Sequence, residues 1–458
     1  ENDNTIELLT EMLDKSPSET ALRTLLARVY VQQKDSSSAI TQYREILGLE
    51  PENEQVLLNL GVLLSQSGQY EEASGFFRQL LEKNNDEYIA YLYLARINDQ
   101  QGDVEEAEKL YRSAIELNWS MDLVHEFADF LLKYKQYETL VTFMRPIIDE
   151  EGADEQARFL VVQALLAMGQ EEEAIAELSL ARAKSSSPER ISLILSQLYL
   201  SNGNLQKAQE NLEAILQSGD NPEARYLLAL IYLDSEKYEK VLVTLEKITK
   251  EQEEYEDAII LRTKTLHQIG RSADAQQLLE ACLAGETTER PIFYIAASSL
   301  FQEMGEADNA EEMLKRGIAS FPDNERLLFE YGLQLERTGR LEEAIAIMQQ
   351  LIEKNPNHAE ALNFVGYSWA DTNRNLDASL DYITRAVELR PDNGYIMDSL
   401  GWIHFKLGNY NQALNELLRA LELVPDDPHI YEHLGDVYLK IDKQEEALET
   451  YQKCLENI

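Results

Sequence analysis

Cysteine is nearly absent from this sequence, which contains only Cys282 and Cys454, far apart along the chain. Neither lies in a CxxC pair, so the sequence supports neither a cysteine-ligated metal cluster nor a disulfide framework. No apolar run reaches the roughly 18 residues that are typical of a bilayer-spanning helix. Residues Glu1 to Asn4 do not resemble a signal peptide, and a cleaved leader is left open because the sequence begins without methionine.

Basic residues are also scarce, with 41 lysines and arginines against 83 aspartates and glutamates, which gives a formal net charge of −42. A polyanion of this kind repels nucleic-acid phosphates and anionic lipid, so we expect no nucleic-acid partner. The acidic excess favours cationic or neutral partners. A surface that only keeps the chain soluble is the alternative interpretation.

Motifs of catalytic and cofactor-binding sites are missing as well. The sequence has no Walker-type phosphate loop, no GxGxxG after a strand and no GxSxG elbow. Of its six histidines, only His429 and His433 share a helix face. A metal site needs ligands that converge from fixed positions, and a histidine pair on a polar helix face is ordinarily solvated. We therefore expect no enzymatic activity, no cofactor and no metal site.

What the sequence does contain is a repeat of 33 to 35 residues. A column of mostly small residues lies in the middle of one predicted helix of each repeat: Ala27, Gly61, Ala95, Ala128, Val162, Ser196, Ala229, Thr263, Ser298, Gly332, Gly366, Gly401 and Gly435. A column of large residues follows on the next predicted helix: Tyr43, Phe77, Tyr111, Met144, Leu178, Leu212, Leu245, Leu279, Leu314, Met348, Ile383, Leu417 and Tyr451. Antiparallel helices approach closely only at small side chains, and the large residue fills the adjoining space.

Glycine and proline mark the same register. Eight glycines fall seven residues after the small column: Gly68, Gly102, Gly169, Gly203, Gly270, Gly305, Gly339 and Gly408. The first helix of each repeat is predicted to end there, because glycine adopts the left-handed cap without strain. Ten of the eleven prolines lie between predicted repeats, and the exception, Pro146, predicts a kink inside a helix.

This pattern resembles the tetratricopeptide repeat (TPR), a helix–turn–helix unit of about 34 residues. The match is close over 393–425, which includes Gly401-Trp402 and Tyr410 to Ala413. The resemblance implies an all-α fold, a right-handed superhelical solenoid of about thirteen repeats. Residues 1–19 would be the second helix of a partial repeat, followed by five repeats over 20–187 and eight over 188–458. A longer turn at 184–188, which would leave the two arrays continuous, is the alternative to a boundary there.

The resemblance also implies where a partner binds, because solenoids bind partners on the concave face that their first helices line. In the last four repeats the family's groove positions are occupied by ten candidate partner-binding residues: Phe329, Glu336, Asn363, Tyr367, Tyr395, Asp398, Trp402, Phe405, Glu432 and Asp436. Aromatic rings edged by carboxylates favour an extended, Lys- or Arg-containing segment. Packing against a neighbouring repeat is the alternative, above all for Trp402.

A non-catalytic scaffold or adaptor that binds protein segments is therefore the expected function. The alternatives are the substrate-presenting TPR region of a larger enzyme or regulator, and an architectural array that self-associates through its ends. Residues 361–438 resemble repeats of Gram-negative envelope TPR proteins, many of them lipoproteins. That resemblance implies assembly or export of envelope structures, in the periplasm or at the outer membrane, with the cytoplasm as the alternative location.

Overall fold

The computed structural model describes residues 2–149, 155–185, 187–284 and 290–457, and these residues form 27 helices and no strand. The predicted all-α repeat fold is thereby confirmed. Within the same residues, no helix combines the length and the apolar composition that crossing a membrane requires.

After α1 (Asn2–Lys15), first and second helices of the repeats alternate. The first helices are α2 (Thr20–Gln32), α4 (Glu54–Gln66), α6 (Tyr88–Gln101), α8 (Met121–Lys133), α10 (Glu155–Ala167), α12 (Pro188–Ser201), α14 (Pro222–Asp234), α16 (Tyr255–Gln268), α18 (Ile292–Glu303), α20 (Glu325–Arg337), α22 (Ala359–Asp371), α24 (Gly394–Lys406) and α26 (Pro428–Lys440). The second helices are α3 (Ser36–Leu49), α5 (Tyr70–Lys83), α7 (Val104–Leu117), α9 (Tyr137–Asp149), α11 (Glu171–Lys184), α13 (Leu205–Ser218), α15 (Tyr238–Leu245), α17 (Ser272–Leu283), α19 (Ala307–Ser320), α21 (Leu341–Lys354), α23 (Leu376–Leu389), α25 (Tyr410–Leu423) and α27 (Gln444–Glu456). The described residues thus contain thirteen helix pairs in the predicted register.

The two helices of a pair meet where the small column faces the large column. A Cβ added to Gly401 would lie 2.5 Å from Cγ of Leu417, and one added to Gly435 would lie 2.5 Å from Cε1 of Tyr451. Column members that carry a Cβ, such as Ala95, are fully buried. The apolar core therefore lies between the helices of each pair and between successive pairs.

A left-handed residue ends the first helix of every repeat. The eight predicted glycines all have positive φ angles, between 68° and 80°. In the other five repeats the same position also has positive φ, and it is occupied by Lys34, Lys135, Glu236, Asn373 and Asp442. The conformation is thus a property of the repeat, and glycine is the residue that adopts it most easily.

The chain divides into two compact units, Glu1–Asn211 and Leu212–Ile458, and the division lies inside α13. The polar break at 184–188 lies earlier, between α11 and α12, which pack against each other within the first unit. A domain boundary at that break stays a prediction. α1 packs against α2 through Leu9, Leu13 and Leu26. The assignment of α1 to a partial repeat stays a prediction. α9 continues through Pro146.

Candidate partner-binding site

The first helices of the last four repeats surround a cavity of about 550 Å³ in the second unit. It is lined by Phe329, Leu333, Glu336, Leu341, Glu360, Asn363, Phe364, Tyr367, Ser368, Asp371, Thr372, Asn393, Tyr395, Ile396, Asp398, Ser399, His429 and His433. Four of these residues are carboxylates and none is a lysine or an arginine. We name this space the acidic cavity.

Six of the ten predicted partner-binding residues line the acidic cavity: Phe329, Glu336, Asn363, Tyr367, Tyr395 and Asp398. They lie together because residues three or four positions apart share one face of a helix. Tyr395 is open to solvent, with 59% of its surface exposed. Their role in binding stays a prediction, and the cavity offers the space that it requires.

Trp402 and Phe405 do not line the cavity. Trp402 is 7% exposed, and its ring stacks on Phe405 at 4.9 Å and on His433 at 4.1 Å between centroids. The ammonium of Lys406 lies 4.5 Å from the centre of the same ring. Trp402 therefore packs against the neighbouring repeat, which is the alternative that the sequence offered for this residue.

Glu432 and Asp436 lie on α26, also outside the cavity lining. The Tyr451 hydroxyl donates a hydrogen bond to Oδ1 of Asp436 at 2.6 Å. Burial and this carboxylate together raise the pKa of Tyr451. Asp436 thus joins α26 to α27, whereas the Glu432 side chain is 61% exposed. On α26, His429 and His433 are the residues that reach the acidic cavity.

Several lining residues lie one position beyond those that the family resemblance singled out. Phe364, Ser399 and His433 directly follow the predicted groove residues Asn363, Asp398 and Glu432, and Asp371 lies one helical turn after Tyr367. With 3.6 residues per turn, these positions adjoin the predicted stripe on the same helix face. A wider helical stripe, applied to the sequence, would have included them.

His433 belongs to the wall of the acidic cavity. Its Nδ1 lies 2.9 Å from Oδ1 of Asp398, and both residues are 8% exposed, so this hydrogen bond joins α26 to α24 in a nearly dry setting. The side chain of His429 is 82% exposed. Across the residues that the structure describes, no group of three or more His, Cys, Asp or Glu side chains could hold a metal ion.

The electrostatics of the acidic cavity favour a positive charge. Burial, followed by the charges of Asp371, Asp398 and Glu432, raises the pKa of the Tyr367 hydroxyl to about 12. A negative potential that opposes a phenolate stabilises an ammonium or guanidinium in the same place. In addition, the buried Oδ1 of Asn363 accepts no hydrogen bond from the described residues, so it can accept one from a bound donor.

The carboxylates of the cavity differ in how far they are already neutralised. Glu360 lies 3.7 Å from Arg390, and Asp371 lies 4.0 Å from the ammonium of Lys406. Glu336 is exposed and has no ion-pair partner among the described side chains. It is therefore the carboxylate best placed to pair with an incoming cation.

Profiles of tetratricopeptide-repeat families match residues 24–86, 58–122, 301–366, 343–394, 401–442 and 428–457. The profile of anaphase-promoting complex subunit 3 matches 176–248, and that of the N-terminal TPR region of Psidin matches 228–331. A TPR repeat-containing protein of Pseudomonas aeruginosa is 25% identical over 156 residues, which are 34% of this chain. The chain spans 26% of the length of that relative.

Two solved structures resemble this chain over most of its length. A chain of the Naa15/Naa10 complex bound to HypK-THB is similar over 95% of this chain and 68% of its own length, with a TM-score of 0.51 and 15% identity. Yeast Tom70 matches over 97% of this chain and 93% of its own, with a TM-score of 0.43 and 15% identity. The likeness to the Naa15/Naa10 chain shows the fold alone.

With its thirteen helix pairs in register and TPR profiles matching along both units, this chain belongs to the tetratricopeptide-repeat family.

Proposed function

We propose that this TPR protein is a scaffold that holds an extended segment of a partner protein, rich in basic and aromatic residues, in the acidic cavity. The TPR array is a protein-interaction fold. The observation that carries the proposal is a cavity of about 550 Å³ whose lining contains four carboxylates and no basic side chain except two histidines.

Three groups of the cavity have separate tasks in this proposal. Glu336 forms a charge-assisted hydrogen bond with a lysine or arginine of the segment. Tyr395 offers an exposed ring for an apolar or aromatic side chain, or for a cation above its face. The Oδ1 of Asn363 accepts a hydrogen bond from a backbone N–H of the segment, which binds any sequence in an extended conformation.

A selection from random peptides tests the proposal, with the full chain as bait. We expect enriched peptides to combine Lys or Arg with aromatic residues. Glu336→Lys and, separately, Tyr395→Ala should remove the enrichment. Glu353→Lys makes the same charge change at an exposed position on α21 that does not line the cavity, and it should retain the enrichment. Enriched peptides without basic residues, or the same peptides from both charge variants, would contradict the proposal.

A cellular role in assembling or exporting envelope structures, in the periplasm or at the outer membrane, is the second part of the proposal. It is supported by the resemblance of 361–438 to Gram-negative envelope TPR proteins and by the relative in Pseudomonas aeruginosa. Fractionation of the producing cells, with the chain tagged in its own gene, tests the location. Recovery in the cytosol would overturn it.

Association of two copies through α27 is the third part. Leu448 and Leu455 of α27 are 61% and 74% exposed, whereas Ala447 and Cys454 of the same helix are buried. Light scattering over a range of concentrations should show a dimer that Leu448→Lys with Leu455→Lys dissociates. A monomer at every concentration would rule this association out.

A further inference from the structure

A second cavity, of about 140 Å³, lies on first helices that precede the acidic cavity in the same unit. α16 and α18 supply an apolar lining that includes Ile260, Ile292 and Ile295. We name it the isoleucine cavity. Lys264 of α16 and Arg326 of α20 also line it, so an apolar floor adjoins two cationic groups.

Lys264 and Arg326 are available to an anion. Both side chains are exposed, and neither has an ion-pair partner in the described parts of the chain. Glu303, the carboxylate of the isoleucine cavity, lies 3.7 Å from Nε2 of His267 on the neighbouring first helix. With two cations against this one carboxylate, the lining of the isoleucine cavity is net positive, whereas the lining of the acidic cavity is net negative.

One helix connects the two cavities. α20 contributes Arg326 to the isoleucine cavity, and it contributes Phe329, Leu333 and Glu336 to the acidic cavity. Since packed helices lie about 8–10 Å apart, the centres of the two cavities, between two and three repeats apart, are separated by roughly 20–25 Å. An extended chain spans that distance with about seven residues.

We infer that the partner segment is bipolar, with a side-chain carboxylate beside an apolar residue in the isoleucine cavity and a basic residue beside an aromatic one in the acidic cavity. This inference rests on the proposed function, because it requires the basic end of the segment in the acidic cavity. Complementary charges at both ends set the direction of the segment along the first helices. A reversed segment places its carboxylate among four carboxylates and its cation beside Lys264 and Arg326.

Synthetic peptides with blocked termini test the inference. Each carries a Lys–Trp pair at one end and, about seven extended residues away, Glu–Leu, Gln–Leu or Lys–Leu. The probes are titrated against the full chain and against Lys264→Glu with Arg326→Glu. Lys247→Glu with Lys250→Glu serves as the matched control, since it makes the same charge change at exposed positions outside both cavities.

The wild-type chain should bind the Glu–Leu peptide about tenfold more tightly than the Lys–Leu peptide, because two favourable ion pairs become two repulsions. The Lys264→Glu with Arg326→Glu chain should reverse this preference, and the control should keep it. If the wild-type chain binds all three peptides equally, and Glu336→Lys weakens the binding of each, the bipolar segment is overturned and the proposed function stands. Absence of binding, or binding that Glu336→Lys does not weaken, would overturn both.

Discussion

At the scale of the residue, each repeat depends on a contact between one small and one large side chain. In the five repeats with glycine in the small column, an added Cβ would lie 2.5–2.7 Å from an atom of the large-column side chain opposite. Real Cβ atoms are not found so close, so the large side chain or one of the two helices would have to move. Elsewhere the column holds larger residues such as Ala95 or Ser298, and the packing there already accommodates a Cβ.

Gly401→Ala is predicted to lower the free energy of unfolding of the second unit by about 1–3 kcal/mol, because the methyl group overpacks against Leu417 and the carbonyl of Ala413. Gly75→Ala is the control. Gly75 is also inside a helix, but nothing lies within 4 Å of an added Cβ. Alanine, which is the better helix former, should therefore raise the free energy of unfolding at this position. Urea unfolding measures both, and an unchanged midpoint for Gly401→Ala would contradict the contact.

Two aromatic residues show how far the sequence predicts the site. Tyr395 and Trp402 occupy groove positions of the same helix, yet 59% of one and 7% of the other is exposed. The helical period places both on one stripe, and this much follows from the sequence. The burial of Trp402 comes from His433 of the next repeat, which stacks on its ring. Contacts across repeats depend on the angle between helix pairs, and the spacing of residues does not encode that angle.

At the scale of the element, the turn inside each repeat needs one left-handed residue. The sequence predicts eight of these positions from glycine, while the other five follow only from the register. A non-glycine residue is strained by about 1–2 kcal/mol in this conformation. The repeats without glycine therefore contain local strain that the rest of the repeat offsets.

Glu236→Gly is predicted to raise the free energy of unfolding by about 0.5–1 kcal/mol, since it relieves the strain at a φ of 55° and adds only the backbone entropy of glycine. Gly203→Ala, at the equivalent turn of the preceding repeat, should have the opposite effect, because its φ is 68°. Thermal unfolding of the two variants beside the wild type measures both. A destabilised Glu236→Gly variant would show that the Glu236 side chain outweighs the strain.

Three helices of the first unit are joined by a buried ion pair that the repeat pattern does not predict. Arg158 of α10 and Glu177 of α11 are each 5% exposed, and Nη1 of Arg158 donates to Oε2 of Glu177 at 2.9 Å. Nη2 of Arg158 donates to the carbonyl of Ile148, which lies in the last turn of α9. Arg158 therefore supplies a hydrogen-bond donor to the C-terminal turn of α9.

Arg158→Leu is predicted to destabilise the first unit by about 1–3 kcal/mol, because the Ile148 carbonyl loses its donor and Glu177 keeps only one of its two arginine partners. Arg145 is the comparison. It also contacts Glu177, at 2.5 Å, but its side chain is 41% exposed. Arg145→Ala should therefore cost less than about 1 kcal/mol. Hydrogen exchange in α9 to α11 measures the loss of stability in both variants. Equal losses would show that burial does not decide how much each arginine stabilises the unit through Glu177.

At the scale of the whole molecule, the net charge of −42 and the four carboxylates of the acidic cavity are the basis of the proposal that the chain binds cationic segments. The affinity for a basic, aromatic peptide should fall as ionic strength rises past physiological values, where screening acts within about 8 Å. Isothermal titration at several salt concentrations measures this, and an affinity independent of salt would indicate an apolar contact instead.

The fold could be predicted almost completely from the sequence, because each repeat packs only on its neighbours and local periodicity determines that packing. The site could be predicted only in part. Tyr395 and Glu336 follow from the helical period, whereas the inclusion of Ser399 in the cavity lining and the hydrogen bond between Asp398 and His433 depend on how successive repeats stack. The proximity of Lys264 and Arg326 in the isoleucine cavity also depends on the stacking of repeats, because α16 and α20 belong to separate repeats.

Site-specific photo-cross-linking in the producing cells tests the partner site most directly. A photoreactive residue replaces Tyr395 of the acidic cavity in one chain and Val243 on the second helix α15 in another, at matched exposures of 59% and 58%. We expect the Tyr395 position to capture a protein through a segment containing Lys or Arg, and Glu336→Lys to abolish that capture. The Val243 position should capture nothing. Equal capture from both positions, or capture from Val243 alone, would contradict the acidic cavity as the partner site.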